Sequence, residues 1–466
     1  MNRLHVVVVG AGVTGLAAAY QLMKTGRADV TIFEASEQVG GTLRSIESER
    51  HLFEQGPDSF LARKRVMIDL CTELGLREQL VGTGPLARKT YLVSDGKLYP
   101  FPKGTYMGIP LTQEAFEQIP FLSEDGKRRA LLDLTMGPDE ERDNDSMGEL
   151  LTRRLGREVV EKIAEAVLAG VHASPIDRLS VAATYPEIGE AARGGSLLRG
   201  LQKFVADRQH IAQDDDLPKT AFLTLRGGLS QLASALLSAL HGLGATVHTG
   251  RAVTSIECSS RACVVRTAGS EITCDAVVVA VPAHRASKLF SAEAVKHALE
   301  GFHYASVATV ALAYRPRDVL FELDGSGFVV PRREKSDVTA CTFVSSKWPH
   351  MANREVVTLR AFVGRAEDDQ IVGAPDEEIL KRVRQDLANW LKADPEPTFT
   401  LVTRWNKGMP QYEVGHLARV AELVEVGSRA YPRVIFSGAA YRGVGLPDCA
   451  ADGIEAAQSV LAMHSS

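Results

Sequence analysis

The sequence contains few cysteines, and none of them has the spacing of a metal site or a redox pair. Six cysteines are spread over 466 residues, with no CxxC pair and no histidines at zinc-site spacing beside them. This distribution argues against a disulfide-stapled secreted domain and is typical of an intracellular protein. We therefore predict six small buried side chains. The cysteines are Cys71, Cys258, Cys263, Cys274, Cys341 and Cys449.

A strong charge of one sign and a long apolar run are also lacking. Lys and Arg number 53 and Asp and Glu 58, which gives a net charge of −5. This balance lacks the basic excess of nucleic-acid-binding proteins, so no nucleic-acid partner is expected. The longest apolar run starts at Val6 and is interrupted at Gly10, Gly12 and Gly15. It predicts neither a signal peptide nor a membrane helix, and the expected location is the cytoplasm.

What the chain does contain is the composition and patterning of a large globular α/β protein. Hydrophobic residues make up 45% and charged residues 24% of the sequence. The length favours two or three domains. His5–Val9 is continuously apolar and β-branched, Leu16–Met23 continues as a helix, and Val30–Phe33 is the next strand. This order predicts a buried parallel sheet at the start of the chain.

The middle and the later part of the chain have sequence patterns that differ from the first part. Residues 85–145 are rich in proline and predict an irregular segment, which ends in a solvated acidic loop at Asp139–Asp145. Residues 147–167 have helical periodicity with a break at Gly156. Residues 304–365 are rich in β-branched residues and turn signals, so they predict a mixed or antiparallel sheet.

The first chemical motif is Gly10-Ala11-Gly12-Val13-Thr14-Gly15, between the first strand and the first helix. GxGxxG alone is a weak signal, but here an acid, Glu34, ends the following strand, which completes the dinucleotide-binding context. Gly10 permits the tight turn, Gly12 lets the backbone approach a pyrophosphate, and Gly15 lets helix and strand pack closely. Glu34 would accept from a ribose hydroxyl and disfavours the 2′-phosphate of NADP. The alternative is a glycine-rich turn without a ligand.

Two further glycine motifs favour FAD over NAD. Gly40-Gly41-Thr42 follows Glu34 and allows the backbone to lie against an extended cofactor. Gly443-Val444-Gly445 precedes the last helix, whose N-terminus could stabilise negative charge on a reduced flavin. The alternatives are a plain turn for the first motif and an ordinary strand-turn-helix for the second.

The order of these three motifs resembles the flavin amine oxidase and protoporphyrinogen oxidase superfamily. More specific strings, spread over essentially the whole chain, are similar to those of Gram-positive coproporphyrinogen III oxidases. One departure is Gln38, where the superfamily often has arginine. The strings are Glu54–Phe60, Pro102–Gly104, Met107–Pro110, Lys347–His350, Met409–Tyr412, Gly415-His416 and Gly443–Cys449.

The resemblance implies an α/β fold with three regions. A Rossmann-like FAD domain would combine residues 1–41, 215–282 and 420–466. A mixed-sheet substrate domain would combine residues 42–86, 172–214 and 283–419. Residues 87–171 would form a helical insert that docks on lipid in membrane-attached relatives. Its acidic loop here predicts at most peripheral contact with the inner face of the cell membrane, because anionic lipid repels acids.

The resemblance also implies which residues contact FAD. They lie in the glycine motifs, in the segment after Glu54, on one strand of the later half and near the C-terminus. No metal is expected. The implied contacts are Gly10, Ala11, Gly12, Val13, Thr14, Gly15, Glu34, Ala35, Gly41, Thr42, Gly56, Pro57, Asp58, Ser59, Val253, Trp405, Gly443, Val444 and Gly445.

The implied activity is oxidation of coproporphyrinogen III, with dioxygen as acceptor and hydrogen peroxide as by-product. Three rounds of hydride removal would give the porphyrin, and the pyrrole proton can leave through water, so no catalytic base is assigned. A ferrochelatase would be a transient partner that receives the product. Protoporphyrinogen IX oxidation is the nearest alternative. An amine oxidase, a carotenoid desaturase or a flavin-binding regulator without turnover are more distant ones.

The propionates of such a substrate require cations. The basic cluster Arg63-Lys64-Arg65 lies at the start of a predicted helix, where positive charge opposes the helix dipole and suggests a compensating use. The alternative is a solvated basic face. The resemblance adds Val171 as a substrate contact. Weaker candidates, which are more typical of surface or packing residues, are Arg44, Lys103 and His172.

Overall fold

The computed structural model describes residues 3–48, 51–140, 145–209, 216–352, 355–393 and 396–464. The chain folds into two compact units. Unit 1 comprises Met1–Gly82, Pro218–His303 and Leu417–Ser466, and unit 2 comprises Thr83–Leu217 and Tyr304–His416. The three-part division given above stays a prediction. Among the described residues, every helix is too short or too polar to cross a lipid bilayer.

The secondary structure mixes short strands with helices throughout, as expected for an α/β chain. The strands are β1 (Leu4–Val9), β2 (Ala28–Phe33), β3 (Ser45–Ser48), β4 (His51–Glu54), β5 (Phe60–Leu61), β6 (Leu80–Gly82), β7 (Lys89–Ser94), β8 (Lys97–Pro100), β9 (Thr105–Tyr106), β10 (Ile109–Pro110), β11 (Phe222–Leu225), β12 (Thr246–His248), β13 (Val253–Cys258), β14 (Cys263–Thr267), β15 (Ser270–Cys274), β16 (Ala276–Val279), β17 (Tyr304–Tyr314), β18 (Gly325–Val329), β19 (Val338–Phe343), β20 (Val357–Val363), β21 (Phe399–Pro410) and β22 (Val434–Phe436). The helices are α1 (Val13–Lys24), α2 (Arg65–Glu73), α3 (Gln113–Glu117), α4 (Glu124–Leu131), α5 (Met147–Leu155), α6 (Arg157–Val159), α7 (Gly170–His172), α8 (Val181–Thr184), α9 (Pro186–Arg193), α10 (Leu197–Gln209), α11 (Ser230–Gly242), α12 (Ala283–Ala286), α13 (Glu293–Glu300), α14 (Val344–Lys347), α15 (Asp376–Leu391), α16 (His416–Ala430) and α17 (Leu446–Met463).

Unit 1 is built on a five-stranded parallel sheet in the order β12-β2-β1-β16-β22. The central strands β1 and β16 are apolar and buried along most of their length, as strands covered on both faces must be. Helix α1 packs beside α17 so closely that a Cβ on Gly453 would lie 2.2 Å from the Thr14 carbonyl oxygen. The predicted parallel sheet at the start of the chain is confirmed.

Unit 2 contains a seven-stranded mixed sheet in the order β21-β17-β20-β19-β18-β7-β8. Strands β17, β19, β20 and β21 are antiparallel, which confirms the mixed sheet predicted for residues 304–365. One face of this sheet forms a core with helix α15, through residues such as Val310, Leu359 and Leu387. The side chains on the opposite face of the sheet point away from helix α15.

A helical cluster forms the second core of unit 2. The predicted break at Gly156 is confirmed, because α5 ends at Leu155 and Gly156 has φ +87°. After α6 the helix continues as a π-helical segment, Val160–Ala169, and then as α7. Buried leucines of α5 and α10 meet Leu92 of β7 in this cluster.

The interpretation of residues 85–145 as irregular is wrong in part. Strands β7 and β8 form a hairpin that extends the seven-stranded sheet, and β7 pairs in parallel with β18, which lies far along the chain. The predicted acidic loop lies outside the described residues at 141–144. Its two ends are anchored rather than solvated, because Asp139 and Asp145 both pair with Arg153, at 2.9 and 2.5 Å.

The prediction of six small buried side chains is wrong for Cys258, which is half-buried. Cys258 and Cys263 form a disulfide across the hairpin of β13 and β14, where they are paired in register. Facing positions of an antiparallel pair bring two Cβ atoms close enough for such a bond. The other four cysteines are buried thiols, as predicted.

Candidate functional site

The turn between β1 and α1 has the geometry that the glycine motif predicts. Gly10 has φ +100°, a conformation that side chains rarely adopt, and its N–H donates to the Phe33 carbonyl at 2.8 Å. A Cβ on Gly15 would lie 1.9 Å from the Gly10 carbonyl oxygen. Gly15 is therefore required by helix–strand packing, as expected. Gly12 is the N-cap of α1, and no side chain caps this helix end.

Glu34 stabilises the same turn in a way the sequence does not show. Its Oε2 accepts from the Ala11 N–H at 2.8 Å, and its Oε1 accepts from the backbone and hydroxyl of Ser36, both at 2.8 Å. A carboxylate has about four acceptor positions, so these bonds leave capacity for a ribose hydroxyl. The predicted contact of Glu34 with a ribose stays a prediction.

The next predicted contacts lie directly against this turn. Gly40 donates to the Ala11 carbonyl at 2.7 Å, and a Cβ on Gly41 would lie 3.1 Å from the Gly12 Cα atom. A Cβ on Gly56 would in turn lie 2.0 Å from the Thr42 carbonyl oxygen. Glycines at these positions therefore bring the first motif, the 40–42 segment and the 56–59 segment together.

The C-terminal motif is joined to the basic cluster. Gly445 is the N-cap of α17, and Asp448 lies in the first turn of that helix. Lys64, the N-cap residue of α2, forms an ion pair with Asp448 through its Nζ atom. The structure thus brings Lys64 beside the predicted flavin motif. Arg65 is exposed and pairs with Asp69 along its own helix at 3.6 Å.

Two other side chains near the C-terminal motif, Cys449 and Tyr441, are not suited to a catalytic role. Burial raises the pKa of the Cys449 thiol to about 12, so this thiol stays protonated and is a poor nucleophile. Tyr441 is 2% exposed, and its ring packs edge-on against Phe302. Tyr441 therefore belongs to the core of unit 1 and cannot form one wall of an open aromatic cage.

The residues of unit 1 fit a dinucleotide by one direct test. A Cβ on Gly12 would meet no atom within 4 Å, so the space beside this glycine is open although the surrounding turn is tightly packed. The open side lies at the uncapped N-terminus of α1, where N–H groups and the helix dipole favour phosphate. Ala35, Val253 and the other implied contacts stay predictions.

The remaining predicted residues, Trp405 and Val171, lie in unit 2. Trp405 is half-buried on β21, opposite Val307 of β17. Val171 is 52% exposed in α7, an unusual exposure for a large apolar side chain. Two of the weaker candidates, Lys103 and Arg44, differ in exposure. Lys103 is exposed. Arg44 is half-buried, and the Nε atom of Arg44 donates to the Gly41 carbonyl at 3.1 Å.

His172 is buried, with 6% exposure, and does not lie on the surface. Its ring packs edge-on against Tyr185, and Tyr412 lies between it and the stacked ring of His416. Burial, with a smaller contribution from His416, lowers the pKa of His172 to about 4. At neutral pH this imidazole is therefore uncharged.

The lowered pKa predicts that acid destabilises the protein through His172. The unfolded chain binds the proton with the ordinary pKa of about 6.5 and the native state does so only near pH 4. The contribution of the neutral, buried His172 to the free energy of unfolding is complete above pH 6.5. It falls as the pH is lowered, by about 2 kcal/mol at pH 5. Urea unfolding between pH 7 and 5 should show a shallower pH dependence for His172→Gln, whereas His241→Gln, at an exposed helical position, should match the wild type.

Two buried side chains that shape these sites were missed by the sequence analysis. Asp452 accepts from the Ser437 hydroxyl at 2.8 Å and the Gly438 N–H at 2.6 Å, which fixes the turn before the C-terminal motif. Gln411 donates to the His172 carbonyl at 3.0 Å and so fixes the turn that presents Val171. In the sequence, an acidic residue within a mainly apolar helix was the signal that could have identified Asp452.

Comparison with known proteins agrees with this geometry. Residues 13–461 match the family described as flavin containing amine oxidoreductase. The coproporphyrinogen III oxidase of Bacillus subtilis (strain 168) is 37% identical over 99% of this chain and 98% of its own length. That of Staphylococcus aureus (strain NCTC 8325 / PS 47) is 35% identical over 98% and 99%.

Solved structures confirm the fold. A crystal structure from Exiguobacterium sp. 255-15 superposes with a TM-score of 0.88 at 32% identity and covers 100% of both chains. Putrescine oxidase superposes with a TM-score of 0.71 over 99% of both chains, but at 18% identity it shows the fold alone. The predicted α/β fold class and the resemblance are thereby confirmed.

Proposed function

This chain belongs to the flavin-containing amine oxidoreductases, and we propose that it oxidises coproporphyrinogen III to coproporphyrin III in haem biosynthesis. The observation that carries the proposal is the match, over nearly the whole chain, to relatives named for this reaction, at 37% and 35% identity. FAD is the cofactor of the family. When bound, it supplies the hydride acceptor for the reaction.

In this proposal the glycine segments of unit 1 hold FAD. The turn at Gly12 and the N-terminus of α1 would bind the pyrophosphate, and Glu34 would bind the adenosine ribose. Gly41 and Gly56 keep their neighbouring segments close enough to line the same path. The N-terminus of α17 would place its unpaired N–H groups near the flavin ring.

Over three rounds the substrate loses three hydrides from bridging carbons and three protons. Two of these protons come from pyrrole nitrogens and one from the fourth bridging carbon, which leaves the four bridging CH and two N–H groups of the porphyrin. We propose that dioxygen takes up each pair of electrons and is released as hydrogen peroxide, so that three dioxygen molecules are consumed per porphyrin. The pyrrole proton passes to water, because no residue has to hold it. The work of this chain is therefore to orient the macrocycle and to supply charge for its carboxylates.

Oxidation of an amine is the main competing activity for this fold. An amine site needs aromatic rings that face the flavin, and Tyr441, two residues before the C-terminal motif, is buried against Phe302. This packing favours the porphyrinogen over the amine.

Anaerobic mixing tests the proposal. Coproporphyrinogen III should bleach the flavin absorbance of the holoprotein within the time of mixing, and putrescine at the same concentration should leave the absorbance unchanged. Bleaching by the amine alone would contradict the proposed function. Admission of air after bleaching should restore the flavin spectrum and release hydrogen peroxide, which a peroxide assay detects.

Lys64 is proposed to contribute to carboxylate binding, since its ion pair with Asp448 holds it at the C-terminal motif. Lys64→Ala should raise the KM for coproporphyrinogen III by about fivefold. This change corresponds to about 1 kcal/mol, the usual contribution of a partly exposed ion pair, here the pair between Lys64 and a substrate carboxylate. The control is Lys24→Ala, which removes another surface ion pair of unit 1, to Glu73 at 2.6 Å. An unchanged KM for Lys64→Ala would remove Lys64 from the substrate site.

The remaining proposals concern the surroundings of the reaction. We propose that the protein works in the cytoplasm, with at most peripheral contact with the inner face of the cell membrane. We further propose that it passes coproporphyrin III to a ferrochelatase through a transient contact. Co-sedimentation with anionic vesicles, and product transfer with and without ferrochelatase, would test the two statements separately.

A further inference from the structure

The disulfide of unit 1 can be reached from solvent through one of its two sulfur atoms. All six cysteines lie in the described part of the chain, and Cys258 is the one that is not buried. It is half-buried and precedes the exposed residues 259–261 of the β13–β14 hairpin. Cys263, its partner, is 0% exposed. A reagent in solution therefore meets the disulfide at Cys258.

The hairpin turn is held by hydrogen bonds of its own. The Ser259 N–H donates to the Ala262 carbonyl at 2.8 Å, and the Ser259 hydroxyl oxygen accepts from the N–H groups of Arg261 and Ala262 at 3.1 and 3.2 Å. Serine bonds of this kind fix a turn locally. Reduction would therefore leave Cys258 and Cys263 in register, with the two thiols close enough to form the bond again.

A cation is anchored at the same turn. Arg433, which precedes β22, donates from Nε to the Ser260 carbonyl at 2.9 Å and from Nη1 to the Asp275 carbonyl at 3.0 Å. Ser260 is two residues from Cys258, so the guanidinium is held at the end of the hairpin that carries the disulfide. Positive charge favours the thiolate, which is the form of cysteine that attacks peroxides and disulfides.

The remaining thiols are poor competitors for the same reagents. All four are buried, and burial raises the pKa of each, so they stay protonated at neutral pH and react slowly. One of them, Cys274 on β15, lies in register beside Cys263 on the side away from Cys258. An oxidant in solution therefore acts first on Cys258, and Cys263 is the thiol next to it.

A permanent structural role is a poor explanation for this bond. The two cysteines are five positions apart, and a bond that closes so short a loop constrains the unfolded chain little. The proposed location is the cytoplasm, where disulfides are usually transient, catalytic or redox-sensing. The proposed activity also supplies an oxidant, because it releases hydrogen peroxide.

We infer that Cys258 and Cys263 form a reversible redox site, which hydrogen peroxide oxidises to the disulfide and a low-molecular-weight thiol reduces. The inference rests on the proposed function for the source of the peroxide. Cys258 is the sulfur that meets both reagents, and Cys263 is the buried partner that closes the bond. The site thus records the peroxide that the protein's own turnover releases.

The two half-cycles balance in atoms and electrons. The Cys258 thiolate attacks one oxygen of hydrogen peroxide and gives a sulfenic acid and hydroxide, and the Cys263 thiol then displaces water as the disulfide forms. Two thiols and one hydrogen peroxide thereby give one disulfide and two water molecules. In the reverse direction one thiol bonds to the Cys258 sulfur and releases Cys263, and a second thiol releases Cys258 as the two thiols join in a disulfide of their own.

Thiol counts in the native holoprotein test the inference. Dithiothreitol is applied without denaturant and removed, hydrogen peroxide is added, and the thiols are alkylated after unfolding and located by mass spectrometry of peptides. Dithiothreitol should release two thiols from the wild type, and peroxide should join the same two again. Oxidation at Cys258 should be at least about tenfold faster than at any buried thiol.

Two variants and one control make the assignment specific. In Cys263→Ser, oxidation of Cys258 should stop at the sulfenic acid, which dimedone traps, because the second thiol is missing. In Cys258→Ser, the fast reaction with peroxide should be lost. The control is Cys71→Ser, which removes a buried thiol of α2 and should gain and lose two thiols like the wild type. If Cys258→Ser does not fold, dimedone labelling of Cys263→Ser decides.

A disulfide that resists dithiothreitol until the protein unfolds would be a structural bond and would overturn the inference. Faster oxidation of another cysteine, or no dimedone adduct on Cys258, would also overturn it. Reduced wild type that oxidises coproporphyrinogen III in air should form the same disulfide, and catalase should prevent this. If added peroxide forms the disulfide but no coproporphyrin III appears, the redox site stands and the proposed function fails. If coproporphyrin III appears but added peroxide leaves both thiols free, the proposed function stands and the redox site is refuted.

Discussion

Gly12→Ala should leave the fold intact and weaken FAD binding by about tenfold to hundredfold. The backbone at Gly12 has φ −72° and ψ 178°, which alanine adopts without strain, and an added Cβ would meet no atom within 4 Å. The methyl group would fill the open space at the N-terminus of α1 where the pyrophosphate approaches the backbone. Overpacking of about 1–3 kcal/mol gives this loss of affinity.

Gly15→Ala is the matched variant with the opposite pattern. Its Cβ would lie 1.9 Å from the Gly10 carbonyl oxygen and 3.2 Å from Val8 Cγ1, so α1 must shift away from β1. The free energy of unfolding of the apoprotein should fall by about 3 kcal/mol, the upper end of the usual cost of overpacking.

Urea unfolding of the two apoproteins and flavin titration measure both effects. Gly12→Ala should unfold at the wild-type urea concentration and require more FAD, whereas Gly15→Ala should unfold earlier. Wild-type FAD affinity in Gly12→Ala would show that the first turn does not contact the pyrophosphate. It would thereby remove the main structural support for the cofactor site.

The second large effect is expected in the helical cluster of unit 2, at Asp133. This carboxylate is 0% exposed, and it accepts from Arg154 Nε at 2.5 Å, the Ser196 hydroxyl at 2.8 Å and the Leu198 N–H at 2.9 Å. Asp133→Ala would leave the buried guanidinium of Arg154 without its counter-charge. We expect a loss of about 3–5 kcal/mol in the free energy of unfolding.

Asp125→Ala is the control for Asp133→Ala, because Asp125 forms an exposed ion pair with Arg128 on α4 at 3.3 Å. Such a surface pair contributes about 0–1 kcal/mol. Equilibrium unfolding of both variants should therefore separate them clearly. A loss at Asp133 no larger than the loss at Asp125 would mean that Arg154 finds other partners at little cost.

The parts of the fold that sequence could predict are those set by local pattern. The glycine turn, the two flanking strands and the break at Gly156 follow from neighbouring residues, since glycine spacing and periodicity determine them directly. The hairpin Lys89–Pro100 was missed because its stability comes from pairing with β18, more than two hundred residues later. Prolines around it indicated an irregular segment instead.

The residues of the candidate site divide in the same way, into those that a local motif predicts and those that depend on contacts between distant segments. Gly12 and Gly15 could be predicted because each has a defined task in a local motif. The ion pair of Lys64 with Asp448 and the bond from Gln411 to His172 could not be predicted, because they join distant parts of the chain.

Porphyrin fluorescence against time in air, with the FAD-loaded protein, measures the proposed activity most directly. Coproporphyrinogen III and protoporphyrinogen IX are supplied separately at equal concentration, and samples without protein correct for autoxidation. We expect a much faster protein-dependent rate with coproporphyrinogen III. A faster rate with protoporphyrinogen IX, or no rate above autoxidation with either substrate, would contradict the proposed function.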